Sequence, residues 1–197
     1  MNPQIDPREL LRRSFAQSAA VIARVTPEQM ELTTPCSQFD VRALIGHMLF
    51  AADRIGQAGR REQLTEDGVV TGLGDAEWAP AFDKAVGEAL AAWDSPGALD
   101  GEIVLPFGTF PAPVVAHIYV SEQVTHSWDL AVATSSTVDL DPELAEAILP
   151  TMAQMVRPEI RGSGEGVPFG PEIEVPAGAP AYDRLAGFLG RDPSFGR

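Results

Sequence analysis

Residues 111–134 read PAPVVAHIYVSEQVTHSWDLAVAT, and this stretch predicts one long, buried helix. Two prolines open it, in the first turn, where a missing backbone N–H is tolerated. Because successive helical residues turn by about 100°, every third or fourth side chain lies on one face. That face carries Val115, Ile118, Tyr119, Glu122, His126, Asp129 and Ala133. The opposite face, with Val120, Val124 and Trp128, is also apolar, which indicates a helix buried on most sides.

Apolar residues that recur at three- and four-residue steps predict further helices on both sides of this stretch. They cover residues 7–25, a segment that begins after Ser37, residues 78–93, a segment that begins at Pro142, and a short segment at 181–189. Ser37 is the predicted N-cap of the second helix, and Asp40 completes an S-x-x-D capping box. Asp141 is the predicted N-cap of the fifth helix, which Pro150 bends or ends.

Four helices of similar length favour an all-α fold, a four-helix bundle with an extra helix. Residues 101–110 are predicted as a possible short β-hairpin, and the Gly- and Pro-rich residues 162–180 as an irregular tail. We therefore expect a single domain over residues 1–197. The bundle would occupy about 6–135, and the additional helix and a wrapping tail about 141–197.

The composition excludes several classes of protein. The net charge of −14 would repel phosphate backbones, so nucleic-acid binding is not expected. No apolar run of 18 residues occurs, which argues against a membrane span. The N-terminal residues have no apolar stretch of the signal-peptide type, so we predict a cytoplasmic protein.

The single cysteine, Cys36, excludes intramolecular disulfides and cysteine-rich zinc fingers. Two interpretations stay open for it. It lies just before a predicted helix start, where a thiolate would be favoured, and so could be a reactive thiol. It could also be a small, buried loop residue, and the frequent burial of free cysteine favours this second interpretation.

Glu122 and His126 are one helical turn apart on a face that is otherwise apolar. A carboxylate and an imidazole on a buried face need partners, and a metal ion would satisfy both. His47, at the edge of the second helix's apolar stripe, could reach the same space. Two histidines and a glutamate suit zinc, nickel or another first-row ion, with a position left for water or substrate. The alternative is a Glu122–His126 hydrogen bond, with His47 lining the core.

The neighbouring polar residues are less informative. His117 lies about 180° around the helix from His126, so we do not expect it in the same site. Asp129 could orient His126 or His47, or could bond to a backbone amide. Arg42 could bind a carboxylate, although a solvated helix residue is favoured, and Trp128 is predicted to pack in the core.

Three segments carry a resemblance to a known family. They are TPCSQFDVRALIGH at 34–47, EQVTHSWDLA at 122–131 and VPAGAPAYDRLAGFLGRDP at 175–193. The chain resembles the DinB-like family, in the branch related to the mycothiol-dependent maleylpyruvate isomerase N-terminal domain, and in particular its short actinobacterial members. The resemblance implies a four-helix bundle in which His47, Glu122 and His126 hold a divalent metal, with zinc favoured and nickel possible. It also implies mycothiol as a possible co-substrate and a possible homodimer.

The resemblance implies a metal-dependent thiol S-transferase or isomerase that acts on a small electrophile. The isomerase has a larger C-terminal domain that helps to form its active site, whereas this chain has only a short tail, which puts maleylpyruvate isomerisation itself in doubt. Two alternatives stay open: a non-catalytic metal-binding or regulatory helical-bundle dimer, and a metal-free bundle with an interaction role.

Overall fold

A computed structural model describes residues 5–66, 68–162 and 169–196, and this part of the chain contains six α-helices and one β-hairpin. The elements are α1 (Pro7–Ile22), α2 (Val41–Gly59), α3 (Trp78–Trp93), β1 (Glu102–Leu105), β2 (Gly108–Pro111), α4 (Ala112–Ala133), α5 (Pro142–Met155) and α6 (Ala181–Phe188). The predicted all-α bundle, its extra helix and its short hairpin are confirmed.

The first four helices pack as two pairs, α2 on α3 and α1 on α4, and further contacts of α1 with α3 and of α2 with α4 close the bundle. Phe15 and Phe82 meet edge to face in its core, with ring centroids 6.2 Å apart. The buried Trp93 donates a hydrogen bond from Nε1 to the Ile55 carbonyl at 2.8 Å. Helix α4 is buried around most of its circumference, as its two apolar faces predict.

Helix α2 begins later than predicted. Its N-cap is Asp40, whose carboxylate accepts a hydrogen bond from the Ala43 N–H at 2.8 Å, so the prediction of Ser37 as the N-cap is wrong. Thr33 and Asp40 form an antiparallel bridge that closes residues 33–40 into a loop. Within it the Thr34 hydroxyl donates to the carbonyls of Cys36 and Phe39, which stabilises a turn instead of a first helical turn.

Two other predicted boundaries also differ. Helix α1 ends at Ile22, and a turn at residues 23–24 begins where the prediction continued the helix to Val25. Helix α5 begins at its predicted N-cap, Asp141, but continues through Pro150 to Met155. Pro150 is exposed, so water can satisfy the carbonyl that the missing proline N–H leaves without its helical partner.

The hairpin fixes the start of α4. Strands β1 and β2 pair antiparallel, and the Ala112 N–H at the start of α4 donates to the Gly101 carbonyl at 3.0 Å. Arg61, just after α2, donates to the carbonyls of Ala98 and Glu102 at 2.9 and 3.1 Å. These bonds tie the end of α2 to the hairpin that leads into α4.

The chain after α2 folds back over that helix. The Val70 N–H donates to the Gly46 carbonyl at 3.1 Å, and a Cβ added to Gly46 would lie 2.3 Å from the Val70 carbonyl oxygen. Glycine is therefore required for this approach, which lies one residue before His47. At the other end of the chain, α5 packs on α4, and α6 packs on α5 and α4. This path returns the residues after 180 to the buried helix α4.

Candidate metal centre

Three side chains from α2 and α4 converge on one point. Nε2 of His47 lies 2.7 Å from Oε1 of Glu122, and Nε2 of His126 lies 3.4 Å from the same oxygen. The two imidazole rings meet edge to face with centroids 5.0 Å apart. One potential ligand atom from each residue lies within 4.8 Å of the others. The structure thus brings together the three residues that the sequence singled out as ligands.

The cluster is buried on one side and accessible on the other. The side chain of His126 is 9% exposed, whereas that of Glu122 is 34% exposed. Phe39 stacks on the His47 ring, with ring centroids 4.9 Å apart and an interplanar angle of 23°. Glu122 is therefore the most exposed of the three side chains, and His126 is the most buried.

The charges of the cluster are strongly coupled. Burial would raise the pKa of Glu122, but the neighbouring His126 and His47 imidazoles hold that pKa well below its usual range. Burial would lower the pKa of His126, but the charge of Glu122 and the hydrogen bond with Asp129 raise it to about 9. The carboxylate is therefore ionised at neutral pH, as a metal ligand must be.

Asp129 contacts His126, one of the two histidines that the sequence left open. Its Oδ2 atom lies 3.0 Å from Nδ1 of His126, and the carboxylate is fully buried. Arg191, from the chain after α6, donates from Nε to both carboxylate oxygens at 3.2 and 3.4 Å. Burial would raise the pKa of Asp129, but the charge of Arg191 and the His126 contact lower it. Asp129 is thus an ionised acceptor for the Nδ1–H of His126.

Cys36 lies closer to the cluster than the sequence indicated. Its sulfur is within 4.8 Å of possible ligand atoms of His126 and Asp129. Burial, with the charge of Asp129, raises the pKa of the Cys36 thiol to about 11. Helix α2 begins only at Val41, so its N-terminus is not immediately after the thiol. These observations favour the half-buried loop residue over the reactive thiol.

Other candidates lie outside the cluster. His117 is not part of it, as its helical position predicts, and its Nε2 atom is buried with no hydrogen-bond partner among the described residues. Arg42 pairs with Asp75 and Glu31 at the surface, which agrees with the favoured solvated role. Trp128 is buried in the core, as expected.

Sequence reasoning missed two residues of the site, Phe39 and Arg191. Phe39 lies within the quoted segment 34–47, but no helical spacing relates it to His47, because it precedes the helix. Arg191 is distant in sequence from Asp129, and the short helix before it follows a Gly- and Pro-rich stretch that predicts no direction for the chain. A buried aspartate that needs a cation was the one available signal for such a partner.

The helical bundle agrees with the DinB-like fold. The sequence pattern of the mycothiol maleylpyruvate isomerase N-terminal domain family matches residues 11–131. The chain therefore belongs to this family.

The chain is also similar to proteins from two strains of Mycobacterium tuberculosis. They are the uncharacterized proteins Rv0738 (strain ATCC 25618 / H37Rv) and MT0763 (strain CDC 1551 / Oshkosh). Each is 33% identical over 190 residues, which cover 95% of this chain and 98% of the relative. The similarity therefore extends beyond residues 11–131 and into the tail.

The fold is shared with crystal structures of the mycothiol-dependent maleylpyruvate isomerase and of a histidine-to-alanine mutant of it. The TM-scores are 0.59 and 0.55, at 19% and 18% sequence identity. Each comparison covers 77% of this chain and 68% of the other. At this identity the likeness concerns the fold alone. No helix among the described residues is long and apolar enough to cross a membrane.

Proposed function

We propose that this protein binds a divalent metal ion through His47, Glu122 and His126, with zinc favoured over nickel. We further propose that it is a metal-dependent S-transferase or isomerase that brings a small thiol of the mycothiol type to a small electrophile. The observation that carries the proposal is the convergence of the two Nε2 atoms on Oε1 of Glu122. The family supports the thiol class.

The donor set fits a catalytic rather than a structural zinc site. Two imidazole nitrogens and one carboxylate oxygen leave at least one position for water or substrate. Such an ion, when bound, lowers the pKa of a thiol or water and so supplies a nucleophile near neutral pH. The partial exposure of Glu122 leaves a path by which a thiol could reach this position.

The residues around the cluster restrict the orientation of its two histidine rings. Asp129 accepts from the Nδ1–H of His126, which fixes the ring with Nε2 toward Glu122, so that Nε2 is the atom that would bind the ion once it has lost its proton. Phe39 restricts rotation of the His47 ring by stacking on it. Tyr119 lies about one turn before Glu122, and its buried hydroxyl has no hydrogen-bond partner among the described residues. It is a donor that a carbonyl or carboxylate oxygen of the electrophile could satisfy.

The metal site can be tested with two histidine variants of α4. We expect purified wild-type protein, stripped and titrated with Zn²⁺, to bind one equivalent. His126→Ala removes a ligand and should weaken binding by about 100-fold or more, since each ligand is needed to complete the site. His117→Ala, on the same helix but outside the cluster, is the matched control and should bind as the wild type does. Equal Zn²⁺ affinity of the wild type and His126→Ala would refute the proposed site.

The catalytic part of the proposal needs a separate measurement. Metal-loaded wild-type protein should transfer mycothiol to, or isomerise, model electrophiles, and the metal-free protein should not. Stoichiometric metal binding without thiol chemistry on a broad electrophile panel would instead support the non-catalytic alternative. Light scattering of the same samples would show whether the protein is the homodimer that the family resemblance implies.

A further inference from the structure

We infer that Arg191 is a positioning residue for the proposed metal ligand His126 and acts on it through Asp129. This inference rests on the proposed function, because it concerns the same site. Arg191 lies beyond residues 11–131, the part of the chain that matches the family pattern. We therefore assign to the C-terminal segment a role in orienting a proposed metal ligand, in addition to its packing on the bundle.

The contacts form a continuous chain of buried charged groups. Arg191 donates from Nε to Oδ1 and Oδ2 of Asp129 at 3.2 and 3.4 Å, and from Nη2 to Oδ2 at 3.3 Å. Oδ2 is also the atom that lies 3.0 Å from Nδ1 of His126. The guanidinium and the imidazole therefore share Oδ2 of the carboxylate, and the guanidinium also contacts Oδ1. A planar guanidinium that contacts both oxygens restricts rotation of the carboxylate more than a point charge does.

Burial makes this pairing necessary. Asp129 is 0% exposed and Arg191 is 7% exposed. An isolated carboxylate in such surroundings is strongly disfavoured, and it either takes up a proton or moves toward another partner. Either change would weaken its hold on the His126 ring. The ring would then be free to present a different nitrogen or a different angle to the cluster.

The backbone conformation and contacts around Arg191 direct its side chain toward Asp129. Gly190, just after α6, has a φ of +80°, in the left-handed region that favours glycine. A Cβ added to Gly190 would lie 2.6 Å from Cα of Gly170, so the two backbones touch. Arg161 donates to the carbonyls of Gly170 and Phe188 at 3.1 and 2.6 Å, which clamps the two segments together.

The segment also binds the arginine directly. The Arg191 N–H donates to the Ala186 carbonyl at 2.9 Å, and its Nη1 donates to the Leu189 carbonyl at 3.3 Å. The turn after α6 thus holds the backbone and one end of the guanidinium. The other end is left to face Asp129. The path of the tail and the geometry of His126 are therefore coupled.

Co²⁺ binding to the stripped protein tests the inference, because its visible absorption spectrum reports ligand geometry. Loss of an outer partner of a ligating histidine typically weakens metal binding by about 10–100-fold. We expect Arg191→Ala to raise the Kd for Co²⁺ within this range and to change the d–d bands. Arg191→Lys keeps the positive charge but lacks the planar guanidinium, so we expect a Kd between those of the wild type and Arg191→Ala. If Arg191→Ala does not fold, Arg191→Lys still tests the inference through its Kd and spectrum.

Arg184→Ala is the matched control. Arg184 lies in α6 and pairs with Glu146 away from the cluster, so its loss should leave the Kd and the spectrum unchanged. If folded Arg191 variants bind Co²⁺ with the wild-type Kd and spectrum, Arg191 is only a structural ion-pair partner and the inference is overturned. If the wild type itself binds no Co²⁺, the proposed function fails, which is a different result.

Discussion

His126 is the residue on which the candidate site depends, because both of its ring nitrogens are engaged. Nε2 faces Glu122 and Nδ1 faces Asp129. One nitrogen can therefore bind an ion while the other is held by the protein. His47 has no comparable carboxylate among the contacts described for it, apart from Glu122, and is held by an aromatic ring instead. The two histidines are thus restrained by different means.

Cys36 provides a residue-scale prediction. Burial, together with the charge of Asp129, raises the pKa of its thiol to about 11, so the thiolate is scarce at pH 7.5. Because only the thiolate reacts, we expect alkylation by iodoacetamide to be at least about tenfold slower than for an unperturbed cysteine. The rate should rise with pH up to about 11. Mass spectrometry at timed intervals measures it.

The denatured chain is the control for this experiment. It has the same single cysteine without the folded environment and should be alkylated at the ordinary rate. Rapid alkylation of the native protein at pH 7.5 would show that Cys36 is a reactive thiol, the interpretation that its position before a helix first suggested.

At the scale of the element, the start of α2 decides where His47 lies. The helix begins after the bridge between Thr33 and Asp40, and Asp40 caps it. Ser37 and Asp40 are the two polar residues from which the sequence predicts the cap, but Asp40 is the N-cap and Ser37 is not, because the same S-x-x-D pattern fits either a capping box that starts at Ser37 or a helix that starts after Asp40. The hydrogen bond from the Ala43 N–H to Asp40 and the bridge between Thr33 and Asp40 distinguish the two.

Two alanine variants test this assignment. Asp40→Ala removes the acceptor for the Ala43 N–H and should lower the free energy of unfolding by about 1 kcal/mol. Ser37→Ala, at an exposed turn position, should change it by less than about 0.5 kcal/mol. Urea denaturation measures both. A larger loss for Ser37→Ala than for Asp40→Ala would mean that Ser37 caps the helix in solution.

At the scale of the whole molecule, one buried side chain joins the bundle to the C-terminal helices. Gln17 of α1 donates from Nε2 to the hydroxyls of Ser127 and Tyr182 at 2.6 and 2.8 Å. Its Oε1 accepts from the Asp141 N–H at 2.7 Å. These partners belong to α4, α6 and the start of α5, so one amide connects four helices.

We expect Gln17→Ala to lower the free energy of unfolding by about 2–4 kcal/mol, because several buried polar groups lose their partner. Gln154→Ala, at an exposed position of α5, is the control and should change it by less than about 0.5 kcal/mol. Thermal unfolding of the wild type should be a single transition by near- and far-ultraviolet circular dichroism. Separate transitions for the bundle and the tail would contradict the predicted single domain.

The sequence by itself determined which segments are helical and which side chains share one face of a helix. Glu122 and His126 are adjacent because the helical repeat places them one turn apart, and His117 is excluded by the same repeat. This information is local, since it depends on the backbone geometry of a few neighbouring residues. The resemblance to a family then predicted that His47 joins them, and the structure places it 2.7 Å from Glu122.

Only the tertiary structure decided the outer part of the site. It paired Asp129 with His126 rather than His47, stacked Phe39 on His47, brought Cys36 near Asp129 and returned Arg191 to the buried carboxylate. The i,i+3 spacing within α4 allows the Asp129–His126 contact, but the other three contacts do not follow from spacing, because they join segments that lie apart along the chain or outside one helix. The turn at Gly190 and its contact with Gly170 set the path of the tail, and no repeat in the sequence encodes that path.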